Sequence, residues 1–254
     1  MNFDKESRKS LEKYNKYFLK NSKTVEYRGH HYSHILPNEL RHKNFLIPLN
    51  EIKFCGPYLE FLNIDNCPIK LHSYGTHLNS SQVLCINFFY EFIKDKNKLQ
   101  KLVDYFDIGK QKVESACFEY GLCDESEIDF CILLNNKKRI YCEIKYKETF
   151  GGVSDKKNPK YPIKKKVFYR DADISFDHFC DDYQFIRNVC AAKRDDSWAI
   201  FIFPKRNELA SEHFKKCVDH LKNKQDFKFK PIYWEDLIKA FPNKKVKDKY
   251  FWYI

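Results

Sequence analysis

Two short runs joined by a pair of asparagines constrain this chain more than any other feature. Residues 127–134 read EIDFCILL, residues 139–147 read RIYCEIKYK, and Asn135 and Asn136 lie between them. β-branched and aromatic residues fill both runs, and paired asparagines suit a tight turn, so the spacing predicts an antiparallel hairpin centred on residues 135–137. Alternate side chains on a strand share a face. Tyr141, Glu143, Lys145 and Lys147 are therefore expected on one face, and Ile140, Cys142, Ile144 and Tyr146 on the other. In the first run, Asp129 and Cys131 fall on one face and Ile128, Phe130 and Ile132 on the other. Folding the hairpin brings Asp129, at the start of its strand, beside Glu143 and Lys145 near the end of the next. The three are expected to project together into a cleft.

That trio has a specific chemistry. Two carboxylates suit Mg²⁺, a hard ion that takes oxygen ligands. A bound ion polarises a phosphodiester and lowers the pKa of an attacking water. A neighbouring lysine can orient that water and offset charge on the transition state. Without a cation two close carboxylates repel, and one stays protonated. Glu-x-Lys alone is cheap in a lysine-rich chain. A second copy, Glu51-Ile52-Lys53, has Glu39 upstream, but the intervening stretch contains Pro48 and no alternating hairpin, so it reads as a decoy.

The rest of the chain supplies the frame. Residues 5–20 read as an amphipathic helix, and 27–71 as loops with short elements. Residues 79–82 offer an N-cap for a largely buried helix, and 98–106 read as a second helix. A third strand is expected at 112–121 and a basic loop at 149–166. Residues 175–193 read as one helix, WAIFIF at 198–203 as a buried strand closed by Pro204, and 207–222 as a helix before a basic, aromatic tail. From residue 79 the order is helix, three strands, helix, strand, helix: an α/β chain. Residues 1–78 read as an N-terminal extension packed on a core of 79–254 in a single compact domain.

Lys and Arg total 46 against 35 Asp and Glu, a formal charge of +11. From Lys137 to Arg170 there are twelve basic residues against three acids (Glu143, Glu148, Asp155), so the surplus concentrates beside the predicted hairpin. Such a surplus points to an anionic partner, nucleic acid ahead of membrane. The ten cysteines are scattered singly without a CxxC pair, so neither a disulfide framework nor a structural zinc site is expected. His30, His31 and His34 cluster but lack the partner spacing of a metal site. The first residues are polar and charged, unlike a secretory signal, and no apolar run is long enough for a bilayer, so a reducing cytoplasm is expected. No Gly-rich phosphate loop and no GxSxG elbow occur.

Asp129 followed by Glu143-Ile144-Lys145, in that order of elements, resembles the PD-(D/E)XK nuclease superfamily. The likeness is sharper to a group of bacterial restriction endonucleases within it, at HYSHILP (31–37), SSQVLCINFF (80–89), EIKYKETFGG (143–152) and DYQFIRNVCAA (182–192). The resemblance implies a restriction-endonuclease-like core, a mixed central sheet flanked by helices. It implies that Asp129, Glu143 and the backbone carbonyl of Ile144 bind the metal and that Lys145 is catalytic. Gln184 would join them as a catalytic residue that orients the lysine or holds a water on the phosphate side, and either Glu119 or Glu91 would add a further acid. No proline precedes Asp129, a departure from the name-giving motif. Lys156, Lys157, Lys160, Lys164, Lys165, Lys166 and Arg170 would grip phosphates beside the scissile bond. The expected function is a Mg²⁺-dependent endonuclease, with Mn²⁺ as a substitute, acting on double-stranded DNA, and as a homodimer if its target is palindromic. The alternatives are a DNA-binding module of nuclease-derived fold without catalysis, and a repair or RNA-directed nuclease using the same site.

Overall fold

A computed structural model of the chain describes residues 3–48, 51–55, 58–62, 68–150, 158, 160–169 and 174–254. Helix α1 (Phe3–Phe18) opens the chain. The antiparallel pair β1 (Val25–Tyr27) and β2 (His30–Tyr32) follows, then an antiparallel sheet of β3 (Ile52–Cys55), β4 (Tyr58–Leu62) and β5 (Pro68–Lys70). Helices α2 (Ser81–Lys94) and α3 (Lys96–Phe106) lead into three consecutive strands, β6 (Val113–Gly121), β7 (Glu127–Leu134) and β8 (Arg139–Ile144). Helices α4 (Lys160–Phe168), α5 (Phe176–Asp181) and α6 (Tyr183–Arg194) precede β9 (Trp198–Phe203). Helix α7 (Glu208–His220) leads to β10 (Phe229–Tyr233), α8 (Trp234–Ala240) and α9 (Lys244–Tyr250).

The chain forms two compact units. One comprises residues 1–99 together with 234–254, and the other residues 100–233. The division thus runs through α3, and the C-terminal segment joins the N-terminal one. In the first unit, α2 starts at a Ser80 cap whose side chain accepts from the Val83 amide at 3.3 Å. Its apolar residues cover more than one face because Phe88, Phe89 and Phe92 pack among Trp234, Phe241 and Phe251. Buried Lys249 donates to the Asn44 carbonyl and Oδ1, both at 2.5 Å, in place of water. Glu51, the acid of the second Glu-Ile-Lys, pairs with Lys94 at 2.7 Å.

The second unit is built on a five-stranded mixed sheet in the order β10-β9-β8-β7-β6. β6, β7 and β8 are antiparallel neighbours, while β8–β9 and β9–β10 are parallel. A turn at Leu134–Lys138 closes the β7–β8 hairpin, with Lys137 at φ 68° in the left-handed region. Helices flank this sheet, giving the α/β, restriction-endonuclease-like core expected from the element order. Tyr141, Ala199 and Phe201 on one face pack with Phe150, Phe179, Phe185, Ile186 and Phe214. Phe201 lies near the middle, with Phe150, Phe185 and Phe214 rings 4.8–5.5 Å away between centroids.

Four local expectations change. The helix read over 175–193 is two helices, because Asp182 leaves helical geometry (φ −109°, ψ 21°) and sends its buried carboxylate to His213 and His220. The basic loop ends in helix α4, whose first amide, Lys160 N–H, donates to Asn158 Oδ1 at 3.1 Å. The third strand of the core stops at Ile144, since the Glu148 carboxylate takes the Tyr146 and Lys147 amides and turns the chain. The basic, aromatic tail contributes β10, which extends the sheet beside β9.

Truncating Phe201 opens a cavity where four rings meet. Phe201→Ala is expected to lower stability by about 3–5 kcal/mol, read in urea as a lower midpoint with an unchanged slope.

Candidate active site

The β7–β8 register pairs Phe130 with Cys142 and Cys131 with Tyr141, which puts Asp129 directly across from Glu143. Glu143 is the penultimate residue of β8 and Lys145 follows its end, where the Lys145 amide still donates to the Ile202 carbonyl at 2.9 Å. The structure therefore brings Asp129, Glu143 and Lys145 together at one end of the sheet. The face they occupy is covered, however, and is not an open cleft. Glu143 is 1% exposed and Lys145 5%, and Tyr141 on the same face is wholly buried. Helix α6 contributes to this covering.

Buried charge must be paired. Glu143 Oε1 accepts from Lys145 Nζ at 2.7 Å, while Oε2 accepts from Arg187 at 2.5 Å and from Asn188 Nδ2 at 2.8 Å. Arg187 Nε donates to Asn188 Oδ1 at 2.8 Å, which fixes both α6 side chains against the carboxylate. Burial alone would raise the pKa of Glu143, but the Lys145 and Arg187 charges and the hydrogen bonds outweigh it and hold the carboxyl below its ordinary value. Burial likewise acts to discharge Lys145 and Arg187, and the Glu143 and Asp129 charges overcome it, so both cations stay protonated.

Asp129 behaves differently. Its Oδ2 accepts from the Ile144 amide at 2.7 Å. The residue reaches the surface in part, but its carboxyl lies in dense surroundings. Burial first, and then the Glu143 charge, push its pKa up from 3.8 to about 7, and Lys145, the Ile144 N–H and Arg187 offset only part of this. Two acids facing each other across one ladder thus have opposite tendencies. Glu143 is an anion, and Asp129 exchanges its proton near neutrality.

The remaining predicted residues are placed as follows. Ile144 meets Asp129 through its amide N–H. Gln184 is half-buried on α6, three and four residues before Arg187 and Asn188 and so on their face, without a hydrogen bond to Asp129, Glu143 or Lys145. Glu119 is half-buried on β6 at φ 49°. The pairs Phe118–Phe130 and Tyr120–Ile128 place it across from Asp129. Glu91 belongs to the other unit and pairs with Lys98 at 3.4 Å on the surface. Lys160, Lys165 and Lys166 lie on α4, Lys160 over the Tyr161 ring. Lys164 turns inward, donating to the Asp124 carbonyl at 2.6 Å. Lys156, Lys157 and Arg170 lie outside the described residues.

Asp124 anchors α4. Its buried carboxylate accepts from Tyr183 at 2.9 Å, from Lys164 at 3.3 Å, and from Tyr169 and Ser126. Burial raises its pKa, but these partners outweigh that effect and draw it down to about 2. Arg187, Asn188 and Asp124 were not singled out in the sequence. The first two were marked only indirectly, one helical turn beyond Gln184 in QFIRN.

The raised pKa of Asp129 sets a sign for pH dependence. A carboxyl whose folded pKa lies above its unfolded value costs no stability below about pH 4, and the cost grows until about pH 7. Asp129→Asn keeps an acceptor for the Ile144 amide and removes the ionisation. In chelator-containing buffer its stability relative to wild type should rise between about pH 4 and 7 and then level off, as measured by urea melts. Arg187→Ala, by contrast, leaves Glu143 short of a cation and should cost about 3–5 kcal/mol at neutral pH.

No curated protein and no solved structure matches the chain. Residues 6–253 match the model of a family described as restriction endonuclease associating with ARP. That span takes in both units and every residue of the buried acid–lysine centre. The chain belongs to this restriction-endonuclease family.

Proposed function

We propose that this chain is a Mg²⁺-dependent endonuclease that hydrolyses DNA phosphodiester bonds, with Mn²⁺ able to replace Mg²⁺. The observation that carries the reading is Asp129 facing Glu143 across the β7–β8 ladder with Lys145 bonded to Glu143. The donor set fits a hard cation: two carboxylates and the Ile144 carbonyl are oxygen ligands, and the burial and facing Glu143 charge that raise the pKa of Asp129 are costs a bound cation would relieve. Asp129, Glu143 and the Ile144 carbonyl would hold the ion, and the register favours Glu119 over Glu91 as a further acid. When bound, the ion polarises the phosphodiester and lowers the pKa of an attacking water.

The chain's own groups supply the rest. Lys145, kept protonated by its acidic neighbours, offsets the negative charge that grows on the phosphate. Arg187 and Asn188 fix the rotamer of Glu143 and so keep its carboxylate aligned with Asp129. Gln184, on the same helix face as Arg187 and Asn188, would orient Lys145 or a water. Lys160, Lys165 and Lys166, with Lys156, Lys157 and Arg170, would contact backbone phosphates of duplex DNA without reading bases.

One observation favours a second reading. Both oxygens of Glu143 are already engaged by protein donors, as in a purely structural buried ion pair. A nuclease-derived module that grips DNA without cutting it is consistent with that saturation.

Plasmid nicking in Mg²⁺ or Mn²⁺ separates the two. Wild type should nick, and Asp129→Ala, Glu143→Ala and Lys145→Ala should each lose about 100-fold or more. Equal nicking by all four would reject the assigned site. Salt-sensitive duplex binding with no nicking in either metal would support the binding module.

A further inference from the structure

A second polar cluster lies within the same unit and takes no part in the acid–lysine centre. Helix α7 carries His213, Cys217 and His220 at positions i, i+4 and i+7, which places all three on one face. Asp182, at the break between α5 and α6, points at that face. His213 Nε2 lies 3.1 Å from Asp182 Oδ1 and His220 Nδ1 lies 2.6 Å from Asp182 Oδ2. The ligand atoms of Asp182, His213 and Cys217 all lie within 4.8 Å of one another. Asp182 is 1% exposed and Cys217 0%, and His213 and His220 are half-buried. His178, one turn before Asp182, stacks flat on His220 with ring centroids 3.7 Å apart.

We propose that Asp182, His213 and Cys217, with His220 as fourth ligand, bind a zinc-class divalent ion that staples the α5–α6 break to α7. One thiol, two imidazoles and one carboxylate is the donor mixture of a borderline-soft ion, and a thiolate excludes Mg²⁺ or Ca²⁺ as the natural occupant. Bonds of about 2.0–2.3 Å place tetrahedral ligand atoms roughly 3.3–3.8 Å apart. The Asp182–His213 separation is close to that, and His220, the last residue of α7 and partly exposed, has room to move outward. Four protein ligands make a closed, structural site. Binding releases the Cys217 proton to solvent. It also requires His213 to carry its proton on Nδ1, which now accepts from the Phe150 amide at 3.0 Å, so that amide must find another acceptor.

The site explains the helix break. Asp182 gives up helical geometry inside a sequence that otherwise reads as one continuous helix, and its carboxylate goes to the ligand cluster. The inference is independent of the endonuclease reading, and its readout does not use cleavage.

The full chain, purified without a histidine tag, should carry about one zinc per molecule by elemental analysis. After chelation, Co²⁺ should restore about one equivalent with a thiolate-to-cobalt charge-transfer absorption that zinc then displaces. Cys217→Ser should abolish that absorption and His213→Ala should weaken uptake at least tenfold, with folding checked by circular dichroism. Asp129→Ala should leave the absorption intact, because an oxygen-only site gives none. A folded wild type that takes up neither zinc nor cobalt would reduce the cluster to a hydrogen-bonded latch and overturn the proposal. Survival of the thiolate absorption in Cys217→Ser would overturn it too.

Discussion

A carboxylate buried at the end of a central strand has to be neutralised in place, and Glu143 is neutralised from two directions. Lys145 comes from its own strand end, and Arg187 and Asn188 from α6. The arrangement therefore fixes more than a charge. It holds α6 against β8, sets the rotation of that helix, and leaves Asp129 facing an anion across the ladder. Burial and the facing Glu143 charge raise the pKa of Asp129, and Lys145 and Arg187 offset only part of that. Much of the second unit's polar geometry depends on this one pairing.

The hairpin was legible because it is local. Glu143 and Lys145 sit two apart, Asn135 and Asn136 mark the turn, and folding about that turn aligns Asp129 by counting alone. WAIFIF was legible as a buried strand for a similar reason: a short continuous apolar run has few other uses. What alternation could not show was the covering of that face. The strand pattern gives direction but not occupancy, and a polar face that suggests a cleft is instead closed by charged groups from another element.

The misread segments share a cause as well. The 175–193 stretch has good helical periodicity through Asp182, and the break comes from His213 and His220, which lie more than 30 residues away in sequence. The 149–166 segment looked like loop because lysines and prolines dominate it, whereas an asparagine cap and the Asp124 anchor order its last part as a helix. Strand β10 lies in a tail whose lysines and proline hide a five-residue run that pairs with β9. In each case a long-range partner overrode the local signal. The α7 face is the converse: His213, Cys217 and His220 stand at helical spacing within 207–222, but that spacing marks no site until Asp182 stands opposite them.

Helix α4 carries lysines in a chain of high positive charge, yet its charges are not equivalent. Lys164 is tied to Asp124, so its counterion is a carboxylate of the protein and not an ion from solution. A lysine that neutralises a phosphate displaces cations condensed on the nucleic acid, and that displacement makes association salt-sensitive, whereas a lysine held by a protein carboxylate contributes less to it. Asp124 thus sets the effective valence of the helix below its lysine count, and the formal charge of the segment overstates the field it presents outward.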